Sequence, residues 1–112
     1  MTSLGTIVFT GASGKRYNFT AYSLDTGFTA MGAVYFITKH AIDNGEVSHD
    51  SIYIGETGNL SKRLDGHHKT SLFEHYEANC ICVNRIAFQQ NRLAVKADLL
   101  AHYDTDCNDY HR

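Results

Sequence analysis

The architecture follows from two apolar runs, Gly32-Ala33-Val34-Tyr35-Phe36-Ile37-Thr38 at 32–38 and Ser51-Ile52-Tyr53-Ile54-Gly55 at 51–55. Both runs are rich in β-branched and aromatic residues, which are typical of buried strands. Between them, Asp43-Asn44-Gly45-Glu46 marks a turn within a mostly polar stretch, so we expect a long hairpin connection. A similar run at 80–88 predicts a third central strand.

The segments around these strands predict a hairpin and helices. Alternating runs at 6–10 and 17–22 flank a glycine-containing turn and favour an N-terminal hairpin. Asn59 is a good N-cap for a helix that carries Leu60 and Leu64 on one side. Weaker helical patterning occurs at 71–77, and a last helix is expected over 91–103. Strands and helices without regular β-α-β alternation indicate the α+β class.

Composition restricts the protein to a few classes. The chain has 112 residues, of which 43% are hydrophobic, which predicts one domain with its own core. Ten Lys and Arg against twelve Asp and Glu give a net charge of −2, which excludes nucleic-acid binding by bulk charge but not a local basic patch. No apolar run approaches the length of a membrane span, no signal peptide is recognisable, and the three cysteines favour reduced thiols in the cytoplasm.

Two of the cysteines invite a metal hypothesis. Cys80 and Cys82 are two residues apart on a predicted strand and therefore face the same side. Together with Cys107 and one of the seven histidines they have the ligand types of a zinc site. Their spacing lacks the turn found between paired zinc ligands, so buried free thiols are the favoured interpretation.

Three cationic or titratable side chains on the predicted helices also stand out. Arg63 and His67 are four residues apart and share one helix face, where they could hold a phosphate and move a proton. Lys96 lies on the same stripe as Leu93 and Leu100. Because burying an unpaired ammonium is costly, Lys96 either extends to solvent or borders a polar cleft, and both interpretations stay open.

Taken together, the segments resemble the GIY-YIG nuclease family. Gly32-Ala33-Val34-Tyr35 is similar to the first half-motif, with Ala-Val where a single Ile is usual, and Tyr53-Ile54-Gly55 matches the second. The continuation at 56–64 resembles the family's Thr-x-Asn-Leu-x-x-Arg-Leu segment, and 96–108 resembles its closing helix and asparagine. We therefore expect one domain over 1–112, with the motif-bearing core at 32–108 and the hairpin at 1–31 as an extension.

The resemblance implies a fold and an activity. The family fold is a small three-stranded antiparallel sheet flanked by helices, and its activity is metal-assisted cleavage of DNA phosphodiester bonds. By position, Tyr35 and Tyr53 would lie near the scissile phosphate, with Tyr35 taking or relaying a proton from the attacking water, helped by His67. Arg63 would hold the phosphate and stabilise its growing charge, and Asn108 would brace the site.

One residue departs from the family pattern at the metal position. Lys96 stands where the family has a glutamate that holds Mg²⁺ or Mn²⁺. An ammonium has no lone pair for a cation, and at an effective dielectric of about 20 a +1 and a +2 charge about 4 Å apart repel by about 8 kcal/mol. Asp98 faces another side of the helix, and neither it nor Asp65 is a convincing substitute. The sequence therefore predicts a nuclease domain with a compromised metal site.

Alternative hypotheses remain open at this point. The chain could be a catalytically inactive module that binds DNA or a protein partner through the same groove. For DNA, the positive field would come from Arg63 and from four expected DNA-contacting cations: Lys62, Lys69, Arg92 and Lys96. A chance motif match in an ordinary α+β domain is the third hypothesis. No membrane partner is expected, and a homodimer is compatible with a domain of this size.

Overall fold

The computed structural model describes residues 3–63, 70–105 and 108. Their fold is α+β, with a five-stranded antiparallel sheet and helices packed against it. In chain order the elements are β1 (Gly5–Thr10), β2 (Arg16–Ser23), β3 (Ala33–Asp43), β4 (Glu46–Thr57), α1 (Leu60–Arg63), α2 (Thr70–His75), β5 (Cys80–Arg85) and α3 (Gln89–Leu100). None of the helices in these ranges is long and apolar enough to cross a membrane.

The sheet is larger than the predicted three-stranded one. The strand order is β1-β2-β5-β3-β4, so the N-terminal hairpin continues the same sheet instead of forming an addition to it. β2 pairs with β5 from Thr20↔Val83 to Ser23↔Cys80. The physical reason is that β5 would otherwise present a row of unpaired backbone groups beside an apolar run. The prediction of a three-stranded sheet was therefore wrong in extent, although the α+β class is confirmed.

The β3–β4 hairpin is also longer than predicted. The polar stretch between the two apolar runs continues the ladder up to Asp43↔Glu46, with a two-residue turn at Asn44 and Gly45. Both turn residues have positive φ, 52° and 80°, as the tight turn that fits the twist of the strands requires. A ladder satisfies its backbone groups without burial, so polar residues can extend a strand beyond the core.

The pairing of β3 with β4 contains an irregularity. Ile37 is opposite Tyr53 and Thr38 is opposite Ser51, so Ile52 is an extra residue. A bulge of this kind places two successive side chains on one face, and Ile52 and Tyr53 do belong to the same buried cluster. All residues of β4 before the bulge are therefore on the face opposite to the one that strict alternation predicts.

Each face of the sheet has its own core. The tyrosine face is covered by α1, α2 and the segment after β2, and its buried residues are Ala33, Tyr35, Ile37, Ile52, Tyr53, Leu60, Phe73, Ile81 and Val83. The α3 face has as its buried residues Phe9, Phe19, Ala21, Val34, Phe36, Ile54, Cys80, Cys82 and Leu99. Phe9 stacks on Phe36 with ring centroids 3.8 Å apart, and Phe19 meets both rings edge-on.

Candidate functional site

The two tyrosines of the motif lie side by side on the tyrosine face. Tyr35 in β3 and Tyr53 in β4 have ring centroids 6.1 Å apart and are 0% and 6% exposed. Gly55 is opposite Tyr35, and a Cβ atom there would lie 2.5 Å from the Tyr35 hydroxyl and 2.8 Å from the Tyr53 ring. The glycine of Tyr53-Ile54-Gly55 thus provides the space in which both rings pack.

The helix that carries the motif arginine starts beside this pair. The side chain of Asn59 accepts a hydrogen bond from the backbone N–H of Ser61 at 3.1 Å, which confirms the predicted N-cap. Leu60 donates its N–H to Met31 at 2.8 Å and packs in the tyrosine cluster. The backbone of Arg63 ends α1 on the same face, but its side chain and all of His67 lie outside the described residues.

Asn108 contacts the middle of the second half-motif. Its Oδ1 accepts the N–H of Ile54 at 2.8 Å, and its Nδ2 donates to the Ile54 carbonyl at 2.8 Å. The hydroxyl of Thr105 also donates to Oδ1. Because β4 is an edge strand, these two backbone groups have no strand partner, and the side-chain amide takes the place of one.

Lys96 lies on α3, which packs on the other face. It is partly buried, four residues after Arg92 and three before Leu99, both of which are buried. Those spacings put Lys96 on the side of α3 that faces the sheet. It forms no hydrogen bond or ion pair with any residue in the described ranges. The structure therefore does not bring Lys96 into contact with the tyrosine pair.

Arg92 is not the surface cation that the sequence analysis expected. It is 6% exposed, and its Nε donates to Glu56 Oε1 at 2.9 Å. Its Nη1 donates to the carbonyls of Ile86 and Ala87 at 3.1 and 2.7 Å. The guanidinium is thus used to join the start of α3 to the ends of β4 and β5. The spacing of four to Lys96 and seven to Leu99 was the signal that could have predicted its burial.

Asp98 fixes the N-terminal hairpin to α3. Its carboxylate accepts hydrogen bonds from Ser13 N at 2.8 Å, Ser13 Oγ at 2.7 Å and Tyr17 OH at 2.7 Å. The hydrogen bonds from Ser13 and Tyr17 lower the pKa of Asp98. Gly11 passes so close that a Cβ would lie 2.1 Å from the carboxylate. Asp98 is therefore a structural anchor.

These contacts test whether the chain fits the divalent cation that the resemblance implies. Mg²⁺ needs several oxygen ligands, including carboxylates with free lone pairs. In the motif-bearing segments that are described, Glu56 is paired with Arg92. Asp98 accepts hydrogen bonds from Ser13 and Tyr17. The expected ligand position carries the ammonium group of Lys96. This donor set does not fit Mg²⁺ or Mn²⁺.

A groove of mixed polarity, which the sequence analysis missed, continues the tyrosine face across β2 and β5. Its lining includes Asn18, Thr20, Tyr22, Met31, Asn84 and Arg85. A second depression shares Met31 and Arg85 with it. Lys62 is exposed on α1, whereas Lys69 lies outside the described residues. Arg85 and Lys62 are thus exposed cations carried by elements of the tyrosine face.

A separate cluster joins one histidine to the two neighbouring cysteines. Cys80 and Cys82 face the same side and are fully buried, as predicted for both, while Cys107 lies outside the described residues. His49 Nδ1 is 2.9 Å from Thr38 Oγ1 and 4.0 Å from Cys82 Sγ. The hydrogen bond with Cys82 lowers the pKa of Cys80 to about 7, whereas that bond and burial raise the pKa of Cys82. Burial lowers the pKa of His49.

Comparison with protein-family models, with curated proteins and with solved structures finds no match. The resemblance to the GIY-YIG nucleases therefore depends on the motif residues themselves and on where the fold places them. Two placements bear on it: the tyrosines pack together over Gly55, and Asn108 pairs with Ile54.

Proposed function

We propose that this chain is a nuclease-type domain of the GIY-YIG kind that binds the phosphodiester backbone of DNA, and that Lys96 prevents metal-dependent cleavage. The observation that carries the proposal is the two-point contact between the Asn108 amide and Ile54. It joins the closing asparagine to the Tyr53-Ile54-Gly55 segment, 54 residues away in sequence. This contact brings together two segments that the resemblance assigns to the same site.

The lack of cleavage follows from charge and burial. By the resemblance, Lys96 takes the sequence position of the metal-holding glutamate, and Glu56 and Asp98 already have other partners. Tyr35 is fully buried, so its hydroxyl would have to move to reach a phosphate in solvent. Binding needs neither a metal nor that movement, and therefore survives the change at position 96.

DNA binding is supported by the local distribution of charge. The net charge of −2 is spread over the chain, but Lys62 and Arg85 are exposed on elements of the tyrosine face, and Arg63 ends α1 nearby. Guanidinium and ammonium groups bind phosphate oxygens, and each contact releases counterions from DNA. The expected binding is therefore moderate in strength and falls steeply with salt.

The test compares the chain with its Lys96→Glu variant on plasmid and linear DNA, with Mg²⁺ and with EDTA. We expect both proteins to bind, and only Lys96→Glu to cut and only with Mg²⁺. Lys15→Glu is the matched control, because it makes the same change of two charges at an exposed position in the turn between β1 and β2. Lys15→Glu should bind without cutting.

Two outcomes would contradict the proposal. Cleavage by the parent chain with Mg²⁺ would show that Lys96 does not block the metal. Failure of both proteins to bind DNA, or binding that does not change with salt, would show that the tyrosine face does not recognise a phosphate backbone. Arg85→Ala tests whether this surface binds DNA directly, since the variant should bind DNA more weakly while its free energy of unfolding stays unchanged.

A further inference from the structure

A second chemical centre lies on the α3 face, away from the tyrosine pair. Three strands contribute to it: Thr38 from β3, His49 from β4, and Cys80 and Cys82 from β5. The nitrogen of His49 and the two sulfurs all lie within 4.8 Å of one another. Tyr35 and Tyr53 belong to the buried cluster on the opposite face of the sheet, so this centre is separate from the proposed DNA-binding surface.

The position of His49 on this face depends on the β-bulge. Ile54 faces α3, and strict alternation back along β4 would put residue 49 on the opposite side. The extra residue Ile52 reverses that alternation, so His49 points toward the same side as Cys80 and Cys82. Bulges commonly re-aim side chains at functional positions. Here the irregularity brings the imidazole to the two thiols.

The separations of these atoms suit a small thiophilic cation. With Zn–S bonds of about 2.3 Å and Zn–N bonds of about 2.0–2.1 Å, the ligand atoms of tetrahedral zinc lie about 3.5–3.8 Å apart. The Cys82 sulfur and His49 Nδ1 are already 4.0 Å apart. The widest separation allowed by the 4.8 Å limit exceeds the zinc value by about 1 Å, which small side-chain rotations can close.

We propose that His49, Cys80 and Cys82 bind one Zn²⁺ ion. Two thiols and an imidazole select zinc or another thiophilic cation over Mg²⁺, which prefers oxygen. Binding converts both thiols to thiolates and releases two protons, so a Zn²⁺ with two thiolates and a neutral imidazole has no net charge. A neutral centre is compatible with the burial of both cysteines.

One neighbour of His49 would lose a hydrogen bond when the ion binds. The buried hydroxyl of Thr38 lies 2.9 Å from His49 Nδ1, the ring nitrogen that also faces the Cys82 sulfur, so it positions the ring beside the thiols and gives up this hydrogen bond when Nδ1 binds the ion. On the outer side, the ring of His40 lies 5.0 Å from that of His49 at the partly exposed end of the cluster. Both histidines are partly exposed, so the imidazole end of the cluster is in contact with solvent. The role of the ion is to join β4 to β5 across β3 beside the bulge.

The experiment uses the reduced, metal-free full chain titrated with Zn²⁺ against a chromogenic chelator, and with Co²⁺ as a spectroscopic probe of thiolate ligands. We expect one ion per chain, thiolate-to-cobalt charge-transfer absorption, and a higher Tm with Zn²⁺. Cys82→Ser and His49→Gln should weaken binding by about 100-fold or more, because loss of a ligand costs at least as much as loss of a group behind it. The glutamine keeps a polar partner for Thr38.

Two matched controls isolate the site. His75→Ala removes an exposed histidine of α2, and Cys107→Ser removes the remaining thiol. Both should bind Zn²⁺ like the parent. If His49→Gln binds as tightly as the parent, if Cys107→Ser abolishes binding, or if Co²⁺ gives no thiolate absorption with the folded parent, the assignment is wrong. Far-UV circular dichroism of each metal-free variant distinguishes loss of a ligand from loss of the fold.

Discussion

At the scale of single residues, the chain uses small or short side chains where large ones must come close together. Gly55 accommodates the rings of Tyr35 and Tyr53, and the short amide of Asn108 reaches both backbone groups of Ile54. A polar amide costs little there, because it replaces a missing strand partner. Gly55 and Asn108 thus hold the segments of the motif in place.

Replacing Gly55 with alanine should be strongly unfavourable. The new methyl group would lie 2.5 Å from the Tyr35 ring, so two buried rings would have to move. We expect a loss of about 1–3 kcal/mol in the free energy of unfolding, measured by urea denaturation. Gly27→Ala is the matched control, since nothing lies within 4 Å of its Cβ, and its effect should be within about 0.5 kcal/mol. Equal effects at the two positions would contradict the packing argument.

At the scale of secondary-structure elements, α3 connects parts of the sheet that are far apart in sequence. Its start is fixed by the buried pair of Arg92 with Glu56, and its last turns by Asp98 with the β1–β2 turn. The side chains of Arg92 and Glu56 are 8% and 18% exposed, so removing only one of them would leave a poorly solvated charge. The helix is therefore positioned by polar contacts at both ends and by the buried Leu99 next to Asp98.

The anchor at Asp98 predicts a pH dependence. Its pKa is lowered in the folded chain by hydrogen bonds from Ser13 and Tyr17, while the unfolded chain has the ordinary value of about 3.9. A lowered carboxyl pKa stabilises the fold above the unfolded value, and that stabilisation is lost as the pH falls through the folded value. Asp98→Asn should therefore be less stable than the parent at pH 7, and the difference should shrink below about pH 4.

Urea denaturation of both proteins between pH 7 and pH 3 measures this difference. Glu74→Gln is the control, because it removes one exposed negative charge from α2 and should change stability little at any pH. A constant gap between Asp98→Asn and the parent across the range would show that the carboxylate is not the stabilising form.

The sequence predicted the secondary-structure elements better than it predicted how they pack against one another. Local patterns indicated the strands at 33–38, 51–55 and 80–88, of which the last ends at Arg85 in the structure, and also the Asn59 cap and the shared side of Cys80 and Cys82. The length of β3 and β4 was not visible, because backbone hydrogen bonds alone can extend a hairpin through polar residues. His49 was missed because a bulge decides which face it occupies, and Arg92 was misassigned because its buried partner Glu56 is 36 residues away.

At the scale of the whole molecule, the N-terminal hairpin is part of the core. Phe9, Phe19 and Ala21 are buried against Phe36 and α3, and β2 covers the edge of β5. The hairpin that we expected as an extension of residues 32–108 therefore shares a sheet and a core with them. The five strands depend on one another.

Deleting residues 1–24 tests this dependence. The truncated chain would lose those buried residues and expose the β5 edge over Cys80–Val83, an apolar run that invites association. We expect no cooperative thermal unfolding and an increase in light scattering. Deletion of residues 1–3 serves as the control and should behave like the full chain. A truncated chain that stays monomeric and melts cooperatively near the parent Tm would show that the hairpin is dispensable.

The pairing of β2 with β5 also has a consequence for biosynthesis. β2 ends at Ser23 and β5 at Arg85, so a ribosome adding about 5–20 residues per second needs about 3–12 s between them. During that interval the nascent hairpin has no partner for its inner edge, and Phe9 and Phe19 have no α3 to cover them. The emerging chain therefore exposes two phenylalanines and an unpaired strand edge until β5 and α3 have been made.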